Sequence, residues 1–177
     1  MKMKNAIILD EVTSTNEYLK LYYKQLPDNV VVFAKKQSHG KGRLSRTWIS
    51  QEGNLYMSIL KKGLPRESIF QELMNVSVSV VKLLKEYGIQ SYIKYPNDII
   101  VGTKKICGIL MESMGYKVLD YLVIGIGVNI NQIDFKELSH KATSIFKESA
   151  IKEEPISVGK KLYAILQEEK DVYKEYI

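Results

Sequence analysis

From Gln90 to Ile130 the chain is a succession of apolar, β-branched runs cut by turn residues, and this stretch constrains the fold more than any other. The runs are Ser91 to Tyr95, Asp98 to Val101, Lys105 to Glu112 and Val118 to Ile130, with breaks around Gly102-Thr103 and at Gly115. Such spacing predicts a meander of antiparallel strands. A meander buries one face only when other elements cover it. Phe70, Leu73, Met74, Ser77, Val80, Val81, Leu84 and Tyr87 recur at helical spacing, which predicts a long helix from Glu67 to Tyr87 stopped by Gly88. Its Val-rich interior is a poor intrinsic helix former, so packing must hold it.

The same signals predict strands at Ala6 to Val12, Val30 to Ala34 and Asn54 to Leu60, and a last amphipathic helix from about Ser157 to Tyr176. Ser14-Thr15-Asn16-Glu17 carries the Ser-x-x-Glu spacing of a capping box, so a helix should begin at Ser14. Together these elements imply the α+β class, a mixed and mostly antiparallel sheet packed against helices, in a single domain over residues 1–177.

Composition narrows the function. The only cysteine, Cys107, excludes an internal disulfide and any Cys-based zinc cluster, and a lone cysteine in an apolar strand reads as inert packing. No apolar stretch reaches the length of a membrane span, so the expectation is a soluble, cytoplasmic protein without a membrane partner. A net charge of +6 raises nucleic acid or an acidic protein as partner.

Gln37 to Trp48, Gln-Ser-His-Gly-Lys-Gly-Arg-Leu-Ser-Arg-Thr-Trp, sets basic side chains and two glycines between strand-like runs with no acidic residue among them. Gly40 and Gly42 would free the backbone for positive φ and close approach to an anion, while Lys41, Arg43 and Arg46 supply charge. With no counter-anion of its own, the loop is expected to be mobile until a ligand orders it. Three further patches place Gly or Pro beside polar groups in strand context: Lys94-Tyr95-Pro96-Asn97-Asp98, Lys104 to Glu112, and Gly125 to Asn131. Glycine inside a strand often marks close approach by a ligand or another backbone.

In chain order, Ser14-Thr15-Asn16, then Gln37 with Gly-Lys-Gly-Arg-x-x-Arg-x-Trp, Lys-Tyr-Pro-Asn-Asp, Lys-x-x-Gly-Ile-Leu-x-Glu and Gly-x-Gly-x-Asn resemble the catalytic module of the biotin protein ligases, whose fold is class II synthetase-like. Ala142-Thr143-Ser144-Ile145 is similar to a further segment of that family. The resemblance implies a two-step reaction. Biotin's carboxylate attacks the α-phosphate of ATP, giving biotinyl-5'-AMP, and a lysine of a biotin carboxyl carrier domain of a biotin-dependent carboxylase then takes the biotinyl group.

By the same resemblance, Lys105 and Arg43 are catalytic. Lys105 would bridge the biotin carboxylate and the α-phosphate, with Arg43 facing the phosphate. Ser14, Thr15, Asn16, Gln37, Gly40, Lys41, Gly42, Gly108, Gly125 and Gly127 would join them around biotin, the last two under the ligand. Arg46, Trp48, Lys94, Asn97 and Asn129 would serve ATP, with Trp48 at the adenine. Asp98 would help with Mg2+ or with deprotonating the acceptor lysine.

The chain departs from the family pattern at Lys41, Ser45 and Tyr95, where arginine, glycine and tryptophan are usual. There is no room before Asp10 for a DNA-binding helix-turn-helix domain and none after Ile177 for a small β-barrel, so no specific DNA binding is expected, and the protein is expected as a monomer or homodimer. Two rival readings remain at this level. One is a lipoate or octanoate ligase or transferase, which shares the sheet and an equivalent lysine; the other is a non-enzymatic basic module that binds nucleic acid through Lys35 to Arg46.

Overall fold

The computed structural model describes residues 5–174. Seven strands form one sheet: β1 Ala6–Val12, β2 Val31–Gln37, β3 Leu55–Lys61, β4 Tyr92–Lys94, β5 Asp98–Val101, β6 Lys104–Gly115 and β7 Leu119–Val128. Their spatial order is β1-β2-β3-β7-β6-β5-β4. The last four make the expected antiparallel meander, and β7 pairs on with β3. Among the described strands of this sheet only the β1–β2 pair runs parallel. The helix α1, Thr15–Tyr22, lies between them in the chain and returns it across the sheet, the connection that parallel neighbours require. The class is α+β, and the sheet is mixed and mostly antiparallel.

A 3-10 turn at Arg66–Ser68 leads into α2, Ile69–Glu86, and Gly88 at φ 71° ends it. A short helix, α3, Ile145–Ser149, has no counterpart among the expected elements, because five residues carry too little periodicity; the Ser144 side chain caps it by accepting from the Lys147 N–H. The last helix, α4, Pro155–Lys174, begins at Pro155 rather than Ser157. The expected end at Tyr176 lies outside the described residues.

The two faces of the sheet are covered unequally. On one, Phe33, Met57, Ile109, Ile124, Ile126 and Val128 meet Val76, Val80 and Leu83 of α2 and Val158, Leu162 and Leu166 of α4. On the other, Leu19 of α1 packs against Val30, Val32, Leu60 and Val123. Fully burying one such side chain contributes about 1.5–3 kcal/mol. β3 is buried at every residue, Ser58 and Lys61 included, because helices cover both its faces.

β7 shows how the fold leaves room for a site. Ile124, Ile126 and Val128 point into the larger core, while Val123, Gly125 and Gly127 share the opposite face by the two-residue period of a strand. α1 covers Val123 but not the glycine end, so a bare strip of sheet opens beyond it.

Candidate active site

Ser14, Thr15, Asn16, Gln37, Lys41, Gly42, Arg43, Trp48, Asn97, Lys105, Gly108, Gly125 and Gly127 line one cleft. Its walls are the start of α1, the loop after β2 and the β4–β5 turn. Five other expected site residues lie elsewhere. Gly40 is buried, and it lines with Arg46 a neighbouring cavity that also takes in Leu110 and Glu112 of β6. Lys94 is exposed on β4, opposite Asp98 in the register. Asp98 reaches the cleft only through Lys105. Asn129 is buried outside the cleft lining, and its amide donates to the Thr143 carbonyl, which ties the end of β7 to the segment before α3.

The glycine floor is covered by side chains of the chain itself. Gly108 and Gly127 are cross-strand partners. The Trp48 indole lies over both: a β carbon on Gly127 would stand 2.7 Å from Trp48 Cε2, and one on Gly108 would stand 2.8 Å from Cζ3. Gly125 is pressed just as closely by the Asn16 carboxamide. The Trp48 Nε1–H is buried without a partner. The open volume is about 60 Å³, room for about two waters.

Beside the glycines, on the same face of the sheet, runs a polar network that sequence reading missed. Ser58, fully buried in β3 and opposite Gly125, has its Oγ 2.7 Å from Thr15 Oγ1 and 2.6 Å from Asn16 Oδ1. The Thr15 N–H donates to Gln37 Oε1 at 2.9 Å, and Gln37 Nε2 donates to Ser50 Oγ at 2.8 Å. Asn16 Nδ2 donates to Glu112 Oε2 at 2.8 Å. Asn16 is therefore satisfied by protein partners. Ser14 makes no capping bond with its side chain, and Glu17 turns to lysines instead, so the expected capping box does not form. Tyr56 also lines the cleft, its hydroxyl donating to the Gln51 carbonyl and its pKa pushed up to about 12 by burial. The only sequence signal for Ser58 is a hydroxyl inside an apolar strand.

The basic loop is a short hairpin closed by a Lys41↔Thr47 bridge and by the Trp48 N–H donating to the Gly40 carbonyl. Gly40 is needed because a β carbon there would strike Trp48 O and Ser50 Oγ. Neither Gly40 nor Gly42 adopts positive φ; the left-handed residue is Leu44, at φ 56°. Nor is the loop without counter-anion or tie. Lys41 Nζ lies 2.6 Å from Glu17 Oε1 on α1, and Arg43 Nη1 donates to Asn97 Oδ1 at 3.1 Å.

Lys105 projects from β6 at the far wall. Its N–H donates to the Lys141 carbonyl and its carbonyl accepts from Thr143, so the Ala142 segment fixes its backbone. Its Nζ lies 2.7 Å from Asp98 Oδ1 and 5.0 Å from the centre of the Trp48 ring. Cys107 is fully buried and burial pushes its thiol up to about 12, which leaves it unreactive. Among the described residues no three or more His, Cys, Asp or Glu gather to hold a metal. No helix among them is long and apolar enough to cross a membrane.

Residues 8–129 match the model of the biotin/lipoate A/B protein ligase family. The chain belongs to that family. It is 39% identical over 157 residues to the bifunctional ligase/repressor BirA of Bacillus spizizenii, a match covering 84% of this chain and 48% of the relative. The chain spans about half the length of the curated relatives it matches. A solved biotin protein ligase from Aquifex aeolicus in complex with biotin and ATP superposes with a TM-score of 0.85 at 33% identity, over 97% of this chain and 72% of that one. The biotin protein ligase of Leishmania major in complex with biotinyl-5-AMP gives 0.76 at 28% identity, over 92% and 73%.

Proposed function

We propose that this protein activates biotin with ATP as biotinyl-5'-AMP and transfers the biotinyl group to a lysine of a biotin carboxyl carrier domain. One observation carries this reading: Lys105 and Arg43 enter the same cleft as the Thr15–Gln37 wall, so a polar ring pocket and two cations meet at one point. Joining a carboxylate to a phosphate presses one anion onto another. Fixed cations and loop N–H groups neutralise the charge as it develops, and holding both substrates in line supplies much of the rest. The mixed anhydride hydrolyses in water, and the basic loop over the cleft keeps water out.

The cleft's volume is far below the about 300 Å³ or more that a ligand pocket offers, so Trp48 and the loop must shift when substrates enter. Among the described residues no cluster of three or more His, Cys, Asp or Glu forms, so Mg2+ would arrive on the phosphates of ATP rather than in a protein cage. In the second step the acceptor amine attacks the biotinyl carbonyl, AMP leaves, and Asp98 receives the amine's proton. The test is incubation with labelled biotin, ATP and a carrier domain, with lipoate as competitor. Label on the carrier lysine supports the reading; preference for lipoate, or no transfer, overturns it.

A further inference from the structure

Glu112 closes the Lys-x-x-Gly-Ile-Leu-x-Glu motif, and the reaction leaves it without a task. Its two oxygens serve different masters. Oε2 accepts from Asn16 Nδ2, the side chain seated on Gly125. Oε1 accepts from Lys20 Nζ at 2.7 Å. Lys20 also reaches Glu17 Oε1 at 2.7 Å, and that oxygen is the one Lys41 of the basic loop holds.

We propose that Glu112 is a positioning residue that ties the substrate pocket to the basic loop, holding Asn16 in place on one side and, by sharing Lys20 with Glu17, keeping Glu17 available to Lys41 on the other. Without the Glu112 charge, Lys20 turns wholly to Glu17 and competes with Lys41 for one oxygen. The loop end is then released. The geometry suits a latch that opens in each turnover: Lys41 and Glu17 are partly exposed, and such pairs are weak, whereas Lys20 and Glu112 are more enclosed. The Glu17 carboxyl is held below its ordinary range by hydrogen bonds from Lys20 and then Lys41, as shared use of the group requires.

The substrate half of this proposal rests on the biotin reading, and the loop half does not. Glu112→Ala removes both contacts at once, because neither Asn16 Nδ2 nor Lys20 Nζ keeps an acceptor there. The full chain is digested with trypsin without substrates, and cleavage after Lys41, Arg43 and Arg46 is timed in the parent, E112A, E17Q and the double variant. E112A and E17Q should each speed cleavage by up to about fivefold, and the double variant should match E17Q, because Lys41 has already lost its anchor there. The biotin KM should rise about tenfold in E112A but not in E17Q, with the saturated adenylation rate held within about twofold. Parent-like cleavage in E112A overturns the tie, as does a double variant whose effects multiply. An unchanged biotin KM overturns the pocket half. If the parent itself releases no pyrophosphate from biotin and ATP, the ligase reading fails while the digestion still tests the tie.

Discussion

Lys105 Nζ and Asp98 Oδ1 lie 2.7 Å apart, so the cation at the far wall of the cleft has a partner that any anionic substrate must compete with or displace. Asp98 stands opposite Gly108 in the β5–β6 register, with a bulge between Ile99 and Ile100. The bulge shifts the pairing so that Lys105 faces Ile100, and the Lys105 ammonium meets the Asp98 carboxylate at the edge of the cleft.

Lys105→Ala should slow adenylate formation by at least about 10²- to 10³-fold, the usual loss on removing one group that stabilises developing charge. Stability should change by no more than about 1 kcal/mol, because the pair is partly exposed. Lys105→Arg keeps the charge but not the reach and should recover part of the rate. Pyrophosphate release in a single turnover measures it; a rate within about threefold of the parent removes Lys105 from the chemistry.

Asp98→Asn should spare adenylate formation and slow transfer, by about 10²-fold or more if the carboxylate takes the acceptor proton. Preformed biotinyl-5'-AMP mixed with enzyme and carrier domain isolates that step. Equal transfer rates for both proteins would exclude Asp98 as the base.

Ser58→Ala takes from Asn16 Oδ1 its hydroxyl donor at a fully buried position, while Thr15 Oγ1 keeps Gln37 Oε1 at 3.2 Å. The expected loss is about 1–3 kcal/mol, read as a lower denaturation midpoint with unchanged slope. A variant as stable as the parent means that the Asn16 carboxamide finds another partner.

Trp48 is the only tryptophan, so its emission reports one environment. Adding biotin and ATP should shift that emission as the indole leaves the glycine floor. Gly127→Ala should shift it without substrate, because the new methyl takes the space of Trp48 Cε2. Overpacking of this kind costs about 1–3 kcal/mol. A parent spectrum blind to both substrates would show that Trp48 stays put.

Glu17 carries a pH signature. Its carboxyl titrates below the ordinary value of 4.5 because Lys20, and then Lys41, donate hydrogen bonds to it against the opposing effect of burial. A lowered folded-state value means that its contribution to stability is present above 4.5 and fades as the pH falls through the lower folded value. Denaturant midpoints should separate parent from Glu17→Gln near neutrality and converge under acid conditions. A gap that ignores pH would assign the difference to shape rather than charge.

Much of this was readable in the chain. The meander, the long helix and the thirteen motif residues that meet in one cleft follow from local pattern and motif order. The parallel pairing of β1 with β2 did not, because an edge strand with mixed exposure gives no sign of its partner's direction. The bond from Asn129 to the Thr143 carbonyl was hidden for a related reason: the motif places Asn129 near the glycines, but the neighbour its amide meets depends on the path of the segment before α3. Ser58 and Glu112 acquire their roles only from register, which sets Ser58 opposite Gly125 and Glu112 opposite Val123. The counter-ion of Lys41 was invisible because it comes from another element, not from the loop.

The alternation along β7, large on one face and bare on the other, separates two kinds of evolutionary freedom. Substitutions at Ile124, Ile126 or Val128 are answered by the helices behind, whereas the shape offered to a ligand is drawn by Asn16 and Trp48, which occupy the glycine space from outside the sheet. A relative with altered substrate preference would then carry its changes in α1 and the basic hairpin, on an unchanged scaffold strand.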